Sequence, residues 1–286
     1  MMARKGRLFC LAVAIVTALS VAGCIHSIKN APRERIGVMG ALDSEIELIK
    51  EAMGQHSSTI VAGRTYYLGQ IGAHRVVLVK AGVGKVNAAM AAQTMINRFG
   101  VKSVVFAGIA GGINPDLHVG DVVISNKVIQ HDYGFLGKDG FHPGKISIPD
   151  LEGGERAVAY FEPDPHLVEV ASRAASRVSF PAPDTAMSLH VAGPIKVYEG
   201  CIVTGDQFIA SEEKRVWLHE TFDAYATEME GGAVAQVCVA NGVPFVIIRT
   251  LSDLANEDAS IDIEKFFSYA SHNSATLVLE MLRLLR

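Results

Sequence analysis

The sequence has no long basic run and no glycine-rich fingerprint for binding nucleotide phosphates. Its 286 residues contain 26 Lys and Arg against 30 Asp and Glu, which gives a formal net charge of −4. Proteins that bind nucleic acid need a concentrated positive surface, so nucleic acid is excluded as the main partner and a small molecule is expected instead. Neither a Walker loop nor a G-x-G-x-x-G motif with an acidic partner occurs.

Cysteine is also scarce. Two of the four cysteines lie in the first 24 residues, which leaves Cys201 and Cys238 in the body of the chain. Both lie in apolar segments whose spacing indicates no disulfide framework, so we expect two buried free thiols. No Cys/His cluster has the spacing of metal ligands, and the His131-Asp132 pair is expected to be part of a loop. No metal ion or other cofactor is predicted.

The first 24 residues are predicted to be a lipoprotein signal peptide. Three cations, Arg4, Lys5 and Arg7, precede an apolar run from 8 to 21 that is too short to span about 30 Å of hydrocarbon comfortably. The run ends in Val-Ala-Gly-Cys24, which resembles a bacterial lipobox, so Cys24 is the predicted lipidation site. A plain secretion signal and an uncleaved anchor are the alternatives. We expect a lipid-anchored protein of the cell envelope, on the periplasmic side or at the surface, with residues 25–34 as a linker.

From residue 35 onward, predicted strands and helices alternate. The predicted strands are 36–39, 65–71, 75–80, 103–106, 122–129, 201–204 and 245–248, and the predicted helices begin near Ser44 and cover 86–99, 231–240 and 260–285. This order predicts an α/β fold, a single domain at 35–286 with a mixed sheet flanked by helices. The Gly- and Pro-rich segment 134–165 is expected to be a long excursion over the sheet, suited to a lid or an oligomer contact.

Charged residues cluster at the ends of these apolar elements. Thr-Glu228-Met-Glu230 precedes the predicted helix 231–240, and Arg249-Thr-Leu-Ser-Asp253 continues the predicted strand 245–248. Open parallel sheets bind ligands at the carboxyl ends of their strands, so a functional site is predicted there. On an extended segment, Glu228 and Glu230 would point to the same side.

A further carboxylate, Glu45, follows the first strand. Ser44 and Glu47 have the spacing of a capping box, which places Glu45 in the first turn of a helix. The helix dipole there favours the ionised carboxylate that a general base needs, so a lowered pKa is expected for Glu45. The glycine-rich stretches 80–85 and 107–112 are predicted to be turns in which the backbone can approach a ligand closely.

Five motifs in order resemble the bacterial 5'-methylthioadenosine/S-adenosylhomocysteine nucleosidases of the nucleoside phosphorylase superfamily. The motifs, which together cover nearly all of 35–286, are Ile36-Gly-Val-Met-Gly-Ala41 with Glu45, Ala110-Gly-Gly112, Thr204-Gly-Asp-Gln-Phe-Ile209, Glu228-Met-Glu230 and Arg249-x-x-Ser252-Asp253. The resemblance implies a nucleoside phosphorylase/hydrolase-like fold, a homodimer, and hydrolysis of 5'-substituted adenosines with release of adenine in purine and methionine salvage.

The resemblance also implies a role for each matching residue. Asp253 would protonate N7 of adenine, while Glu45 would deprotonate the attacking water with the help of Arg249. Glu230 would accept hydrogen bonds from the ribose hydroxyls. The other residues implied in substrate binding are Leu42 and Met229 at the sugar, Phe208 and Ile209 at the purine, and Ile109, Ala110, Gly111, Glu228 and Ser252. Since Asp253 must be protonated near neutral pH, its pKa must rise by about 3 units, or roughly 4 kcal/mol.

The sequence departs from the family pattern in three places. Ile109 stands where relatives often have a small hydroxyl residue, the segment 134–165 follows no family pattern, and most relatives lack an export signal. The pocket for the 5'-substituent is apolar in the family and is completed by a dimer partner. Candidates for it here are Ile263, Phe266, Phe135 and Pro143.

Three alternative functions stay open. A nucleoside phosphorylase of the same fold needs cationic groups for phosphate, but the turn after the first strand offers Asp43 and Glu45, and no arginine lies between Gly37 and Lys50. These carboxylates would repel a phosphate dianion, which favours hydrolysis. A futalosine-type hydrolase would use much of the same acid and base set. A surface lipoprotein that binds nucleosides or a host ligand is the third possibility.

Overall fold

The computed structural model describes residues 34–181 and 193–285. The predicted signal peptide with Cys24 and the predicted linker up to residue 33 lie outside the described residues. Within the described ranges, no helix has both the length and the apolar character needed to cross a membrane.

The chain from Arg35 onward forms one compact unit. Its strands are β1 (Arg35–Gly40), β2 (Ser57–Val61), β3 (Arg64–Ile71), β4 (His74–Lys80), β5 (Val101–Gly112), β6 (Val122–Gln130), β7 (Gly134–Gly137), β8 (Gly140–Pro143), β9 (Ile146–Pro149), β10 (Glu155–Val158), β11 (Val197–Thr204), β12 (Ala224–Glu228) and β13 (Phe245–Asp253). Its helices are α1 (Asp43–Met53), α2 (Lys85–Phe99), α3 (Pro165–Ala175), α4 (Glu212–Phe222), α5 (Gly231–Ala240) and α6 (Ala259–Leu284).

A mixed sheet with the strand order β12-β11-β6-β13-β5-β1-β4-β3-β2 forms the centre of the fold. The pairs β1–β4, β1–β5, β5–β13, β6–β11 and β11–β12 are parallel, whereas β6–β13, β2–β3 and β3–β4 are antiparallel. The last residues of β5 also pair with β12, where Gly111 lies opposite Thr227 and Gly112 opposite Ala226. This extra pairing curls the sheet and brings the end of β12 beside the ends of β5 and β13.

Helices cover both faces of the sheet. On one face, α1, α3 and α6 bury side chains such as Ile49, Val170 and Leu277, and on the other face α2 and α5 bury Met95 and Val234. Helix α5 contains almost no polar residues, as expected for a helix that is buried on most of its circumference. The α/β fold with a mixed sheet flanked by helices is confirmed.

Several elements differ from the sequence predictions. Helix α5 has the predicted bounds, but β5 and β13 continue past their predicted ends, to Gly112 and Asp253. The glycine-rich stretch 107–112 is therefore part of a strand and not a turn, because it pairs with β13 on one side and with β12 at its end. Elements absent from the prediction include β2, α3, α4 and β12.

The segment 134–165 also differs from its prediction. It contains two hairpins, β7–β8 and β9–β10, where an irregular excursion was expected. Ile148 and Phe161 are almost completely buried and join the main apolar core, and Phe161 bridges to Val128 of β6. Much of this segment is therefore packed against the domain, although Phe135 and Leu136 on β7 are exposed.

Candidate active site

The charged residues predicted from the sequence come together where β1, β5, β12 and β13 end. Glu45 enters from the first turn of α1, Asp253 is the last residue of β13, and Glu228 is the last residue of β12. Glu45, Asp253, Glu228, Glu230 and Arg249 are all at most 6% exposed. Ionisable groups are rarely buried without a partner, so their contacts decide what the site can do.

Three backbone N–H groups hold the carboxylate of Glu45. Oε2 accepts hydrogen bonds from Ala41 at 2.5 Å and from Leu42 at 3.0 Å, and Oε1 accepts one from Ile109 at 3.0 Å. Both oxygens are therefore fixed: the turn after β1 holds Oε2, and strand β5 holds Oε1. Because its oxygens are fixed, the Glu45 carboxylate can hold a water molecule in a defined position.

Gly108 of β5 provides the space that Glu45 occupies. A methyl group built at Gly108 would lie 2.6 Å from Glu45 Oε1 and 3.3 Å from Arg249 Nη1. Any side chain at this position would therefore displace the carboxylate or the guanidinium. The glycine-rich stretch was predicted to let the backbone approach a ligand, but at this residue it makes room for a protein carboxylate.

The predicted capping box at Ser44 and Glu47 is wrong. Helix α1 begins one residue earlier than predicted, with Leu42 as its N-cap, and Glu45 accepts the Leu42 N–H at the third helical position. Ser44 lies inside the first turn, where its hydroxyl pairs with that of Ser271 at 3.2 Å. Leucine lacks a side-chain acceptor, so this helix start depends on Glu45 itself.

Asp253 has the environment predicted for an acid. It is 2% exposed, Oδ1 accepts the Ala255 N–H at 2.9 Å, and Oδ2 accepts the Ser252 hydroxyl at 2.8 Å. Burial raises the pKa of Asp253 to about 6, although these two hydrogen bonds oppose the rise. The direction agrees with the sequence prediction, and the rise is smaller than the predicted 3 units.

Arg249 pairs with Glu228 inside the site. Its Nη2 lies 2.6 Å from Glu228 Oε2, and both side chains are at most 2% exposed. Nη1 donates to the carbonyl groups of Phe106 and Ile248, and the guanidinium lies 4.1 Å from the centroid of the Phe106 ring. Arg249 was predicted to deliver charge to the edge of the sheet, but it lies within β13 and is largely occupied by protein partners.

Both oxygens of Glu228 accept hydrogen bonds from the protein. Besides Arg249, it accepts the backbone N–H groups of Glu230 at 3.0 Å and Gly231 at 2.6 Å, together with the hydroxyl of Thr204. In this structure Glu228 holds Arg249 and the start of α5, and its contact with substrate stays a prediction.

Glu230 lies after β12, at the N-cap of α5, so the prediction that it shares a strand face with Glu228 is wrong. Its Oε1 accepts the N–H of Gly84 at 2.7 Å, from the turn between β4 and α2. Burial raises the pKa of Glu230, and the nearby Glu228 carboxylate raises it further. Sequence reasoning missed Gly84 as its partner, although a glycine after a strand could have indicated an available N–H.

The pKa of Glu45 is also opposite to the prediction. Burial raises it above its ordinary value of 4.5, while the charge of Arg249 and the three backbone N–H groups lower it. The first turn of a helix does supply favourable dipoles, but complete removal from water outweighs them here. A raised pKa makes Glu45 a stronger base once it has lost its proton.

The remaining predicted substrate-binding residues surround this centre. Ser252, Ala110, Gly111 and Ile209 are buried, Leu42, Ile109 and Met229 are half-buried, and Phe208 is 49% exposed. Phe208 and Ile209 follow β11, and Asp206 of the same loop accepts the Lys85 N–H at 2.8 Å. That contact ties the loop to the Gly84 turn and hence to Glu230.

The four candidates for the 5'-pocket divide into two groups. Phe266 of α6 is completely buried with Val119 and Tyr269, and Leu254, next to Asp253, packs against this cluster. Phe135 and Pro143 lie near each other at the open end of the β7–β8 hairpin, where Gly134 pairs with Pro143, and both are exposed. Ile263 is half-buried on α6.

Two other predictions concern cysteine and histidine. Cys201 and Cys238 are buried free thiols, as predicted, and burial raises the pKa of Cys201 to about 12. His131 is completely buried after β6, while Asp132 pairs with Lys85 at 2.7 Å. Among the described residues, no group of three or more His, Cys, Asp or Glu side chains has the arrangement of a metal site.

A buried acid, a buried base and an arginine at the end of an α/β sheet define an acid–base enzyme, and comparison with known proteins gives its family. Residues 35–283 match the model of the phosphorylase superfamily. The 5'-methylthioadenosine/S-adenosylhomocysteine nucleosidase of Mycobacterium bovis is 36% identical over 251 residues, which cover 87% of this chain and 97% of that protein.

Solved structures agree with this. The nucleosidase of the same name from Colwellia psychrerythraea 34H, in complex with adenine, is 36% identical with a TM-score of 0.75 and covers 88% of this chain and 96% of its own. Futalosine hydrolase of Helicobacter pylori strain 26695 is 29% identical with a TM-score of 0.73, covering 88% and 98%. The chain belongs to the 5'-methylthioadenosine/S-adenosylhomocysteine nucleosidase family of the phosphorylase superfamily.

Proposed function

We propose that this protein hydrolyses the N-glycosidic bond of 5'-substituted adenosines, methylthioadenosine and S-adenosylhomocysteine, and releases adenine. The observation that carries the proposal is the pair of buried carboxyl groups with different surroundings at one end of the sheet. Asp253 has a pKa of about 6 and can hold a proton, while Glu45 is held by three backbone N–H groups near Arg249. Two such groups can act as acid and base in a single reaction.

The chemistry follows from these positions. Asp253 gives its proton to N7 of adenine while the bond between C1' and N9 breaks, so the base leaves neutral. Water attacks C1', and Glu45 takes the proton that the water loses. Positive charge develops on the ribose during this step, and the carboxylates around it stabilise that charge. The products are adenine and the 5-substituted ribose.

Other residues bind the nucleoside in this proposal. Glu230 accepts hydrogen bonds from the ribose hydroxyls through the oxygen that does not bind Gly84. Leu42 and Met229 contact the sugar, Phe208 stacks on the purine, and the Ile209 backbone contacts the purine edge. The half-exposed Phe208 ring supports its assignment, because an aromatic face open to solvent is available for stacking.

Water, and not phosphate, is the nucleophile in this proposal. The cation beside Glu45 is Arg249, whose charge Glu228 already balances at a distance of 2.6 Å. Asp43 in the same turn pairs with Lys80 at 2.7 Å. A phosphate dianion at Glu45 would face carboxylates whose cations, Arg249 and Lys80, are already paired, which costs free energy in a buried site.

Futalosine hydrolysis is the second candidate, favoured by the likeness to the Helicobacter pylori enzyme. Both reactions need the same acid and base. They differ in the base that leaves, so the direct test incubates the chain from Ile25 onward separately with methylthioadenosine, S-adenosylhomocysteine and futalosine and identifies the released base. Adenine from the first two supports the proposal, and hypoxanthine from futalosine alone would replace it. Binding without release of any base would favour the nucleoside-binding lipoprotein.

We also propose that Cys24 carries acyl chains that anchor the enzyme in the cell envelope. Support comes from the cationic start, the short apolar run and the Val-Ala-Gly-Cys24 ending. Multiple acyl chains suffice for stable attachment, at about 0.8 kcal/mol for each buried methylene. The catalytic domain would then lie outside the cytoplasm, where it meets exported or external nucleosides.

A homodimer is the third part of the proposal. Phe135 and Leu136 on β7 are 70% and 76% exposed, and Val86 and Met90 of α2 are 70% and 46% exposed. Large apolar side chains at this exposure favour contact with another protein surface. Because Phe135 is a candidate for the 5'-pocket, a second copy of the chain is the proposed partner, and sedimentation of the chain from Ile25 onward tests it.

A further inference from the structure

Helix α6 places buried hydroxyl groups behind the catalytic strands. Ser274 of α6 and Thr250 of β13 are completely buried, and their hydroxyl oxygens lie 2.8 Å apart. The Ser274 hydroxyl also donates to the carbonyl of Gly108 at 2.7 Å. Gly108 is the residue that makes room for Glu45, so these hydroxyls contact the strand that holds the proposed base.

The directions of these hydrogen bonds are fixed. A serine hydroxyl has one proton, and a carbonyl can only accept, so the Ser274 proton belongs to the Gly108 carbonyl. Thr250 must then be the donor in its contact with Ser274. The nitrogen of the same peptide unit belongs to Ile109, and its N–H donates to Glu45 Oε1 at 3.0 Å. The groups form a single directed chain, from Thr250 through Ser274 and the Gly108–Ile109 peptide to Glu45.

We propose that Ser274 is a positioning residue for Glu45, acting with Thr250 through the Gly108–Ile109 peptide. The inference rests on the proposed function, in which Glu45 holds the attacking water. Ser274 is completely buried, and its hydroxyl contacts Thr250 and the Gly108 carbonyl. It fixes the carbonyl end of the peptide whose N–H end holds Glu45.

Two physical reasons make this contact matter. Glycine at 108 removes the clash with Glu45 but leaves the backbone with more conformational freedom, which the Ser274 hydrogen bond restricts. A carbonyl that accepts a hydrogen bond also polarises its peptide, so the Ile109 N–H becomes a better donor to Glu45. Both hydroxyls are completely buried, so bulk water cannot take the place of either one.

Ser125 offers a matched control for a purely structural role. It too is a completely buried serine, and its hydroxyl accepts the Ile247 N–H of β13 at 3.0 Å. No hydrogen bond of Ser125 leads to Glu45 in the part of the chain that the structure describes. Ser125→Ala therefore removes a comparable buried contact to the same strand without touching the chain to Glu45.

The experiment measures kcat, KM and the midpoint of urea unfolding for the full-length chain in detergent, with methylthioadenosine as substrate. We expect Ser274→Ala to lower kcat about tenfold with KM within about twofold, since small errors in the position of a base reduce the rate of the chemical step. Thr250→Val, which keeps the shape and removes the hydroxyl, should lower kcat about threefold. Ser125→Ala should lose stability and keep its kcat.

The double variant tests whether the two hydroxyls act in one chain. Because Thr250 acts only through Ser274, Ser274→Ala with Thr250→Val should have the kcat of Ser274→Ala alone. Ser274→Thr, which keeps the hydroxyl, should restore kcat. Multiplied losses in the double variant, or a Ser274→Ala kcat equal to that of Ser125→Ala, would overturn the proposal.

The experiment also gives a result if a variant does not fold or if the proposed function is wrong. If Ser274→Ala does not fold, Thr250→Val decides alone: a reduced kcat at unchanged KM supports the chain, and a wild-type kcat overturns it. Wild-type protein that releases no adenine refutes the proposed function itself. Wild-type release together with an inactive Glu45→Gln and a fully active Ser274→Ala refutes only the inference about Ser274.

Discussion

Arg249 Nη2 lies 2.6 Å from Glu228 Oε2, and both side chains are buried at the junction of β12 and β13. Glu228 also binds the N–H groups of Glu230 and Gly231, so one carboxylate holds both the arginine and the start of α5. Glu230, the proposed ribose ligand, is thereby tied to the strand that ends in Asp253. The pair is best understood as the support of the site, while Glu45, Glu230 and Asp253 carry its chemistry.

The first prediction concerns the proposed acid and base. Glu45→Gln and Asp253→Asn should each reduce adenine release about a hundredfold or more, the expected loss for a positioned acid or base, and circular dichroism should show an intact fold. Asp43→Asn is the matched control, because Asp43 lies in the same turn and its side chain is 82% exposed. Turnover near the wild-type value in either of the first two variants would remove that residue from its role.

The second prediction uses the pKa of Asp253. The folded state raises it from 3.8 to about 6, so the folded state binds this proton more tightly than the unfolded state. Wild-type stability should then fall as pH rises through the window from about 4 to 6, by at most roughly 3 kcal/mol for this group. Asp253→Asn cannot titrate. Asp253→Asn should therefore gain stability relative to wild type across that window. If the difference in unfolding free energy between the variant and wild type is the same at pH 4 and at pH 7.5, the raised pKa of Asp253 is contradicted.

The third prediction separates Glu228, the last residue of β12, from Glu230 at the N-cap of α5. Glu228→Gln leaves Arg249 buried without its ion-pair partner, which should cost about 3 kcal/mol of unfolding free energy. Glu230→Gln should keep stability, because burial and the neighbouring carboxylate already disfavour the ionised Glu230. Glu230→Gln should instead lower kcat. Urea unfolding measures the stability of the two variants, and steady-state kinetics measures their activity. A Glu230→Gln defect confined to KM would argue against its role at the charged sugar.

The fourth prediction is that added phosphate does not change the reaction. With ionic strength held constant, methylthioadenosine should yield free 5-methylthioribose at a rate independent of phosphate, because Arg249 is already paired with Glu228. Mass spectrometry identifies the sugar product as the free sugar or its 1-phosphate. A sugar 1-phosphate, or a rate that saturates with phosphate, would return the nucleoside phosphorylase to first place.

The fifth prediction tests the anchor. Cys24→Ser should abolish labelling by radioactive palmitate and move the protein from the detergent phase to the aqueous phase, because Cys24 is the proposed acylation site. Cys10→Ser, in the same N-terminal segment, serves as the control and should leave both unchanged. A wild-type chain that already partitions into the aqueous phase would rule out the anchor.

Local sequence was sufficient for several features. Helix α5 has its predicted bounds, and its end was predicted from Gly242 and Pro244, which follow its last residue closely. The burial of Cys201 and Cys238 followed from the apolar residues on either side of them. These features depend on neighbours within a few residues, so the order of residues alone specifies them.

Other features depend on contacts between distant parts of the chain. The partners of Glu228 could not be predicted, because Arg249 and Thr204 lie 21 and 24 residues away and only the folded sheet brings them to it. The turn of Gly84 reaches Glu230 across 146 residues. No local pattern contains such information.

The sequence by itself determined which residue types stand at the ends of the strands, and with them the family and the acid and base candidates. Tertiary structure decided what each carboxylate does there. Glu45 has a raised pKa because the whole fold removes it from water, which outweighs the local effect of its helix. Burial and long-range pairing are properties of the assembled sheet, and the pairing of β5 with β12 that creates this site follows from no single segment.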